Sequence, residues 1–445
     1  MRSTPIKENV VHEMIDAFGV HPVGRASIRE IVKIVNDIEE KTGERFIRME
    51  MGVPGLHPAS VGVEAEIEAL KSGIASVYPN IEGIPSLKKE ISRFVNLFMD
   101  IEVPPACCIP TVGSMMGGMA SFMVVNRSDR NRTGTLFLDP GFPVQKQQCL
   151  VLGHSYGSFD FYDYRGDKLE AKLESEISKG HYSSILYSNP NNPAWICLTE
   201  QELEIIASVA SKYDVTVIED LAYFGMDFRR DFSRPGEPPY QPTVARYMDN
   251  WVLLISSSKA FSYAGQRIGM MVVSPALFNR RFPDLTRYYS SEKFGHAMIY
   301  GSLYALSAGA AHSPQFALAA MLKAVNDGAY NFLDVVKEYG EKARIMKSLF
   351  LKYGFQLVYE KDLDQPIADG FYFTISYPGF SGDELVEELL FYGISAISLD
   401  ITGSAHPEGL RACVSMVKRD QFQDLEERLK GFSKDHPVQG YLYSL

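Results

Sequence analysis

Cysteine is scarce in this chain, and its placement excludes two common scaffolds. The five cysteines, Cys107, Cys108, Cys149, Cys197 and Cys413, are odd in number and show neither CxxC nor Cys/His spacing. That pattern argues against a disulfide framework and against a zinc or other metal site, and points to free thiols in a reducing compartment. A surplus of positive charge is also missing. Lys and Arg number 44 against 55 Asp and Glu, for a net charge of −11, the wrong sign for a nucleic-acid or anionic-membrane partner. No run of like charge is long enough to form a tail. The opening Met1-Arg-Ser-Thr-Pro-Ile-Lys-Glu-Asn9 lacks the apolar core of a signal peptide. The longest uncharged apolar-rich stretch, around Ala297 to Ala311, is shorter and richer in Gly and Ser than a membrane span of about 20 residues. Internal repeats and low-complexity segments are absent. These absences together describe a cytoplasmic, soluble chain.

What is present is a core. With 445 residues and 46% hydrophobic content, the chain can bury one large core or two moderate ones. Ile28, Ile31, Val32, Ile34, Val35 and Ile38 mark an amphipathic helix that ends near Gly43. Leu87, Ile91, Phe94, Val95 and Phe98 share one face of another, starting at Ser86. Between about residues 135 and 255, short apolar runs alternate with helical segments. Thr135–Leu138, Ser184–Tyr187, Val215–Ile218 and Trp251–Ile255 read as short apolar strands, the last buried on both faces. A capping box, Thr199-Glu-Gln-Glu202, starts the helix before the third. This alternation predicts an α/β domain with a mostly parallel sheet, three layers deep, over residues 58–325. The pattern changes after about Asn326, where Phe371–Ile375 reads as an antiparallel strand. That predicts a smaller α+β domain from residues 1–57 and 326–445. The stretch from Ser290 to Ser313 has no clear pattern.

Ligands of parallel sheets bind beyond the carboxyl ends of the strands, and the unusual polar residues fall there. Lys259 follows the Trp251–Ile255 strand, where partial burial favours the neutral amine that forms a Schiff base with a carbonyl. Ser256, Ser257, Ser258 and Arg267 stand near it and can hold a phosphate. An aldehyde carrying a phosphate and bound by one lysine describes pyridoxal phosphate. The plain alternative is a solvated loop lysine and a surface ion pair for Arg267. The other strand ends argue for the cofactor, each against its own alternative. Asp220 suits a protonated pyridine nitrogen, or caps the next helix. Asn192 and Tyr223 suit the ring oxygen, or Asn192 merely forms a turn. Phe142 suits a stacking partner, or is an ordinary core residue. Ser114 and Met115 open an expected helix whose first N–H groups can meet an anion, or serve packing.

In the segments Asn189-Pro-Asn-Asn-Pro193, Asp220-Leu-Ala-Tyr223, Ser256-Ser-Ser-Lys259 and Arg267-Ile-Gly269, the sequence resembles the class I/II aminotransferases, pyridoxal-phosphate enzymes of fold type I. The matching segments run in family order from Gly52 to Arg411. The resemblance implies roles residue by residue. Lys259 is the Schiff-base lysine and proton shuttle, Asp220 pairs with the pyridine nitrogen, and Asn192 and Tyr223 bond the ring hydroxyl. Phe142 stacks on the ring, while Ser114, Met115, Ser256 and Arg267 hold the phosphate. Tyr78 reaches the phosphate of a neighbouring subunit, which implies a homodimer with shared active sites. Arg411 clamps the substrate α-carboxylate with Gly52 and Asn192 close by, the alternative for Arg411 being a surface arginine. Two departures bear on substrate. The family usually reads Asn-Pro-Thr-Gly, but here Asn192 is followed by Pro-Ala-Trp195, so that Trp195 stands where glycine is usual and either narrows the substrate pocket or repositions the turn. The second arginine of dicarboxylate-specific members has no counterpart between Leu303 and Gln315.

The expected activity is amino-group transfer from a neutral, aromatic or apolar amino acid to a 2-oxo acid. A carbon–sulfur β-lyase would use the same lysine and electron sink. A non-catalytic sensing module fused to a DNA-binding domain would need a basic helix-turn-helix, which the residues before position 58 do not show.

Overall fold

The structure, a computed structural model, describes residues 4–438. Its contacts divide the chain into two compact units. One holds Leu56–Asn191 and Cys197–Val336; the other holds the residues up to Gly55, Asn192–Ile196 and those from Lys337 onward.

The first unit is built on a seven-stranded sheet. Its strands are β1 (Cys108–Thr111), β2 (Gly134–Asp139), β3 (Tyr156–Asp160), β4 (Tyr182–Ser188), β5 (Thr216–Leu221), β6 (Trp251–Ser256) and β7 (Gly269–Val273). Their order in space is β1-β7-β6-β5-β4-β2-β3, and β7 alone runs antiparallel to its neighbours. Every residue of β2, β5, β6 and β7 is buried. That is why they read as unbroken apolar runs and not as alternating ones. The helix Gly113–Val125 packs on β6 and β7. Its Phe122, Val124 and Val125 join Leu254, Met271 and Val273 in one core, each large side chain contributing roughly 1.5–3 kcal/mol.

Local signals set the helix ends. Thr199 Oγ1 accepts from the Glu202 amide at 3.2 Å and Glu202 Oε2 accepts from the Thr199 amide at 3.0 Å, so the capping box opens the helix Glu200–Lys212. The patternless stretch after Ser290 becomes the short helix Phe294–His296, a π-helical segment Ala297–Leu303 and one α-turn, Tyr304–Ser307.

The second unit carries a four-stranded antiparallel sheet of β8 (Gln356–Leu357), β9 (Tyr372–Ser376), β10 (Ile397–Ser398) and β11 (Leu410–Cys413), ordered β10-β11-β9-β8. A separate parallel pair joins Ile47–Arg48 to Ile394–Ser395. The helix Ile28–Thr42 has a Ser27–Glu30 capping box and ends on Gly43 at φ 76°. The boundaries differ from those expected. The change of unit comes at Lys337, not at 326, because the continuous helix Phe332–Lys352 carries the chain across. It also comes at Leu56, not at 58, and the five residues Asn192–Ile196 belong by contact to the second unit. Sequence pattern cannot show that last assignment, since only tertiary packing makes it.

Candidate active site

In the first unit the polar residues singled out above gather at one edge of the sheet. β2, β4, β5 and β6 end there, and the antiparallel β7 begins there, so Asp220 lies one residue inside the end of β5 while Phe142, Tyr223, Lys259 and Arg267 lie just outside those termini.

Asp220 is the best buried charge of the group, at 6% exposure. Its Oδ2 accepts from Gln145 Nε2 at 2.8 Å and its Oδ1 from the Ala222 amide at 3.1 Å. It lies inside strand β5 opposite Ser188 and Leu254, so it caps no helix. Burial pushes its carboxyl up to about 6, and the Gln145 bond, the Ala222 amide and the nearby Lys259 charge oppose that rise. Lys259 is half-buried in the short helix Ser257–Ala260. Tyr223 is buried nearby in sequence at the end of the same β5 segment. Phe142 caps the helix Pro143–Val151 and is half-buried. It stands three residues before Gln145, at the extended N-cap position of the helix that carries Gln145. Gln145 went unnoticed in the sequence; its position three residues after Phe142 was the available signal.

An anion cradle lies beside this group. The helix Gly113–Val125 starts with no side-chain cap, so the amides of its first turn, including those of Ser114 and Met115, have no intrahelical acceptor. Gly113 sits at φ 66°, and a β-carbon there would lie 2.6 Å from Arg267 Nη2. A side chain at 113 would therefore fill the space that the guanidinium occupies over the helix start. Ser256 Oγ accepts from the Ser258 amide at 3.1 Å. A cation, uncapped amides and a hydroxyl suit the phosphate of the expected cofactor. The buried Asp220 suits its pyridine nitrogen. The residues therefore fit the group.

Tyr263, absent from the expected set, fastens the same loop. Its hydroxyl donates to Glu66 Oε2, and Ser313 Oγ donates to Glu66 Oε1 at 3.0 Å. Tyr78 is 93% exposed, on a segment tied to the helix His312–Asn326 by His312 Nδ1 and the Val77 carbonyl at 2.9 Å.

The second unit holds the expected carboxylate residues. Arg411, on β11, is 1% exposed, so it is not a surface arginine. Its Nη2 donates to the Glu50 carbonyl at 2.6 Å and its Nη1 to Asn192 Oδ1 at 3.3 Å, while Nε has no partner. The Glu50 carboxylate does not neutralise it. Arg48 holds that carboxylate at 2.8 Å, and Ser395 donates to it at 2.6 Å. A buried guanidinium without a carboxylate partner costs free energy unless a ligand supplies one. Gly52 lies against the Tyr372 hydroxyl, and Arg411 lies over the Tyr372 ring, 4.6 Å from its centroid. Trp195 has no exposed surface.

Comparison with known proteins follows the same lines. The sequence profile described as aminotransferase class I and II matches residues 47–429. Glutamate-pyruvate aminotransferase AlaC of Escherichia coli (strain K12) is 28% identical over 242 residues, 53% of this chain and 56% of that protein. LL-diaminopimelate aminotransferase of Natranaerobius thermophilus is 26% identical, over 53% of this chain and 59% of that protein. The chain thus spans a little over half the length of these two relatives. The putative aminotransferase YugH of Bacillus subtilis is 24% identical over 88% of this chain and 92% of its own. Among solved structures, an alanine aminotransferase from Pyrococcus furiosus superposes with TM-score 0.74 at 20% identity, covering 94% of this chain and 98% of that one. That likeness establishes the fold.

Proposed function

The chain belongs to the class I and II aminotransferase family, and from that premise we propose that it is a pyridoxal-phosphate-dependent aminotransferase acting on a neutral amino acid. The observation that carries the reading is the buried Asp220 carboxylate within electrostatic reach of Lys259. Bound pyridoxal phosphate supplies a reactive carbonyl and an electron sink. The chain's own residues do the rest. Asp220 accepts the hydrogen bond of a pyridinium N–H and so keeps that nitrogen charged. Lys259, its amine partly desolvated, takes a proton from the substrate α-carbon and returns it on the other side of the exchange. Tyr223 and Asn192 donate to the ring oxygen, and Phe142 covers one ring face. Ser114, Met115, Ser256 and Arg267 hold the phosphate. Arg411 receives the α-carboxylate, with Gly52 leaving room for it.

Neutral side chains are favoured because no second arginine stands between Leu303 and Gln315. A homodimer completes the proposal. The fully presented Tyr78 and the exposed Tyr300 and Tyr304 support it, with Tyr78 contributing to the phosphate of the neighbouring subunit. No helix among the described residues is long and apolar enough to cross a membrane.

A panel of amino acids, scored by loss of the cofactor's visible absorbance and by amino-group transfer to a 2-oxo acid, tests the reading. At least one neutral donor should bleach the wild type, and Lys259→Ala should show no turnover. Release of ammonia and pyruvate from cysteine conjugates without any acceptor would replace transamination with β-elimination.

A further inference from the structure

Trp195 is held in a backbone conformation that a bulky residue seldom adopts, and its ring contacts give the reason. Its φ is 60°, in the left-handed region that favours glycine. The indole is enclosed on Gly370, where a β-carbon would lie 1.8 Å from its Cε2. That space exists only because residue 370 is glycine, so Trp195 and Gly370 are a fitted pair. The indole also meets Tyr372 edge-on, with ring centroids 6.2 Å apart at 66°. The Tyr372 ring in turn lies under the Arg411 guanidinium at 4.6 Å. The same short segment supplies Asn192, whose Oδ1 accepts from Arg411 Nη1 at 3.3 Å. One indole therefore braces both the surface beneath the guanidinium and the acceptor beside it.

We propose that Trp195 is a positioning residue for the carboxylate receptor: seated on Gly370, it fixes Tyr372 and the Asn192 turn, and through them the plane in which Arg411 presents its remaining N–H groups. The proposal rests on the reading of Arg411 as the α-carboxylate clamp. A carboxylate takes two parallel hydrogen bonds only from a guanidinium lying in its own plane. The stacked ring sets that plane, and the desolvated cation–ring contact resists its rotation. Trp195, with no exposed surface, touches no ligand itself. Its effect reaches the carboxylate through Tyr372 and Asn192.

The test is calorimetric titration of the full chain, loaded with pyridoxal phosphate, with 3-phenylpropanoate, a carboxylate that has no amino group to transfer. Arg411→Ala should abolish measurable binding. Trp195→Gly relieves the positive-φ strain, and Gly370→Ala displaces the indole; each should weaken binding about tenfold. The double variant should be no weaker than either single one, because both remove the same brace. Tyr372→Phe, which keeps the ring, should bind within about twofold of wild type, and Tyr372→Leu should lose about tenfold. Among amino donors, Trp195→Gly should raise KM by a similar factor for each while the bound cofactor's absorbance stays unchanged. Wild-type affinity in Trp195→Gly beside lost binding in Arg411→Ala would overturn the proposal alone. So would additive losses in the double variant, or equal losses in Tyr372→Phe and Tyr372→Leu. Undiminished binding in Arg411→Ala would overturn the clamp, and this proposal with it.

Discussion

A carboxylate removed from water holds its proton more tightly, and Asp220 shows the effect. Burial raises it from 3.8 to about 6, so between those values the folded chain binds more protons here than the unfolded one. Its contribution to stability therefore falls as pH rises from about 4 to about 6 and stays low above that. Glu219, the preceding residue, follows the same sign up to about 7, again chiefly through burial. In protein stripped of cofactor, Asp220→Asn should raise stability by roughly 2 kcal/mol at pH 8 and flatten the acid side of the profile. Thermal melts across pH 4–8 will show it. With pyridoxal phosphate present the order should reverse, because the amide cannot pair with a charged pyridine nitrogen. Tyr263→Phe concerns a different buried carboxylate. It leaves Glu66 with one donor fewer and should cost about 1–3 kcal/mol in urea unfolding.

At the level of elements, Glu202 serves two structures at once. It closes the capping box of the helix Glu200–Lys212 and takes a bidentate pair from Arg165, at 2.5 and 2.7 Å. Burial alone would raise its carboxyl, but the Arg165 bonds and the Gly166 and Thr199 amides hold it below the usual range. Arg165→Ala should cost roughly 3–5 kcal/mol, since it leaves a buried charge unpaired. Adding Glu202→Gln should recover part of that loss; denaturant unfolding of the four proteins of the cycle measures it. The same helix shows what could be read in advance. Its start is written in four consecutive residues, Thr199 to Glu202, whereas Arg165 lies 37 residues earlier and only folding brings it there. The strands β2, β4, β5 and β6 were legible because burial on both faces leaves an unbroken apolar run. Asp220, Lys259 and Arg267 were legible because each interrupts or follows such a run. The π-helical segment Ala297–Leu303 was not, because its small residues fit several backbones. Nor was the enclosure of Trp195, which depends on the missing β-carbon of Gly370, far along the chain.

Across the whole molecule, all five cysteines are buried and none is in a disulfide. Burial raises the thiols of Cys107 and Cys149 to about 11 and that of Cys108 to about 12. Native protein should therefore resist iodoacetamide at neutral pH, and all five should react after unfolding, as mass spectrometry will count. Tyr78→Ala should weaken cofactor retention, as its proposed phosphate contact requires, without lowering the melting temperature of the stripped chain, because its side chain is almost fully exposed on its own chain. The parallel pairing of Ile47 with Ile394 has a further consequence for synthesis. The amino-terminal helices leave the ribosome early, yet the strand they flank has no partner until residue 394 has been added. Until then that segment depends on its own helix caps or on a chaperone. A nascent chain stalled before residue 394 should thus remain open to proteases at its beginning, however well its central sheet has already formed.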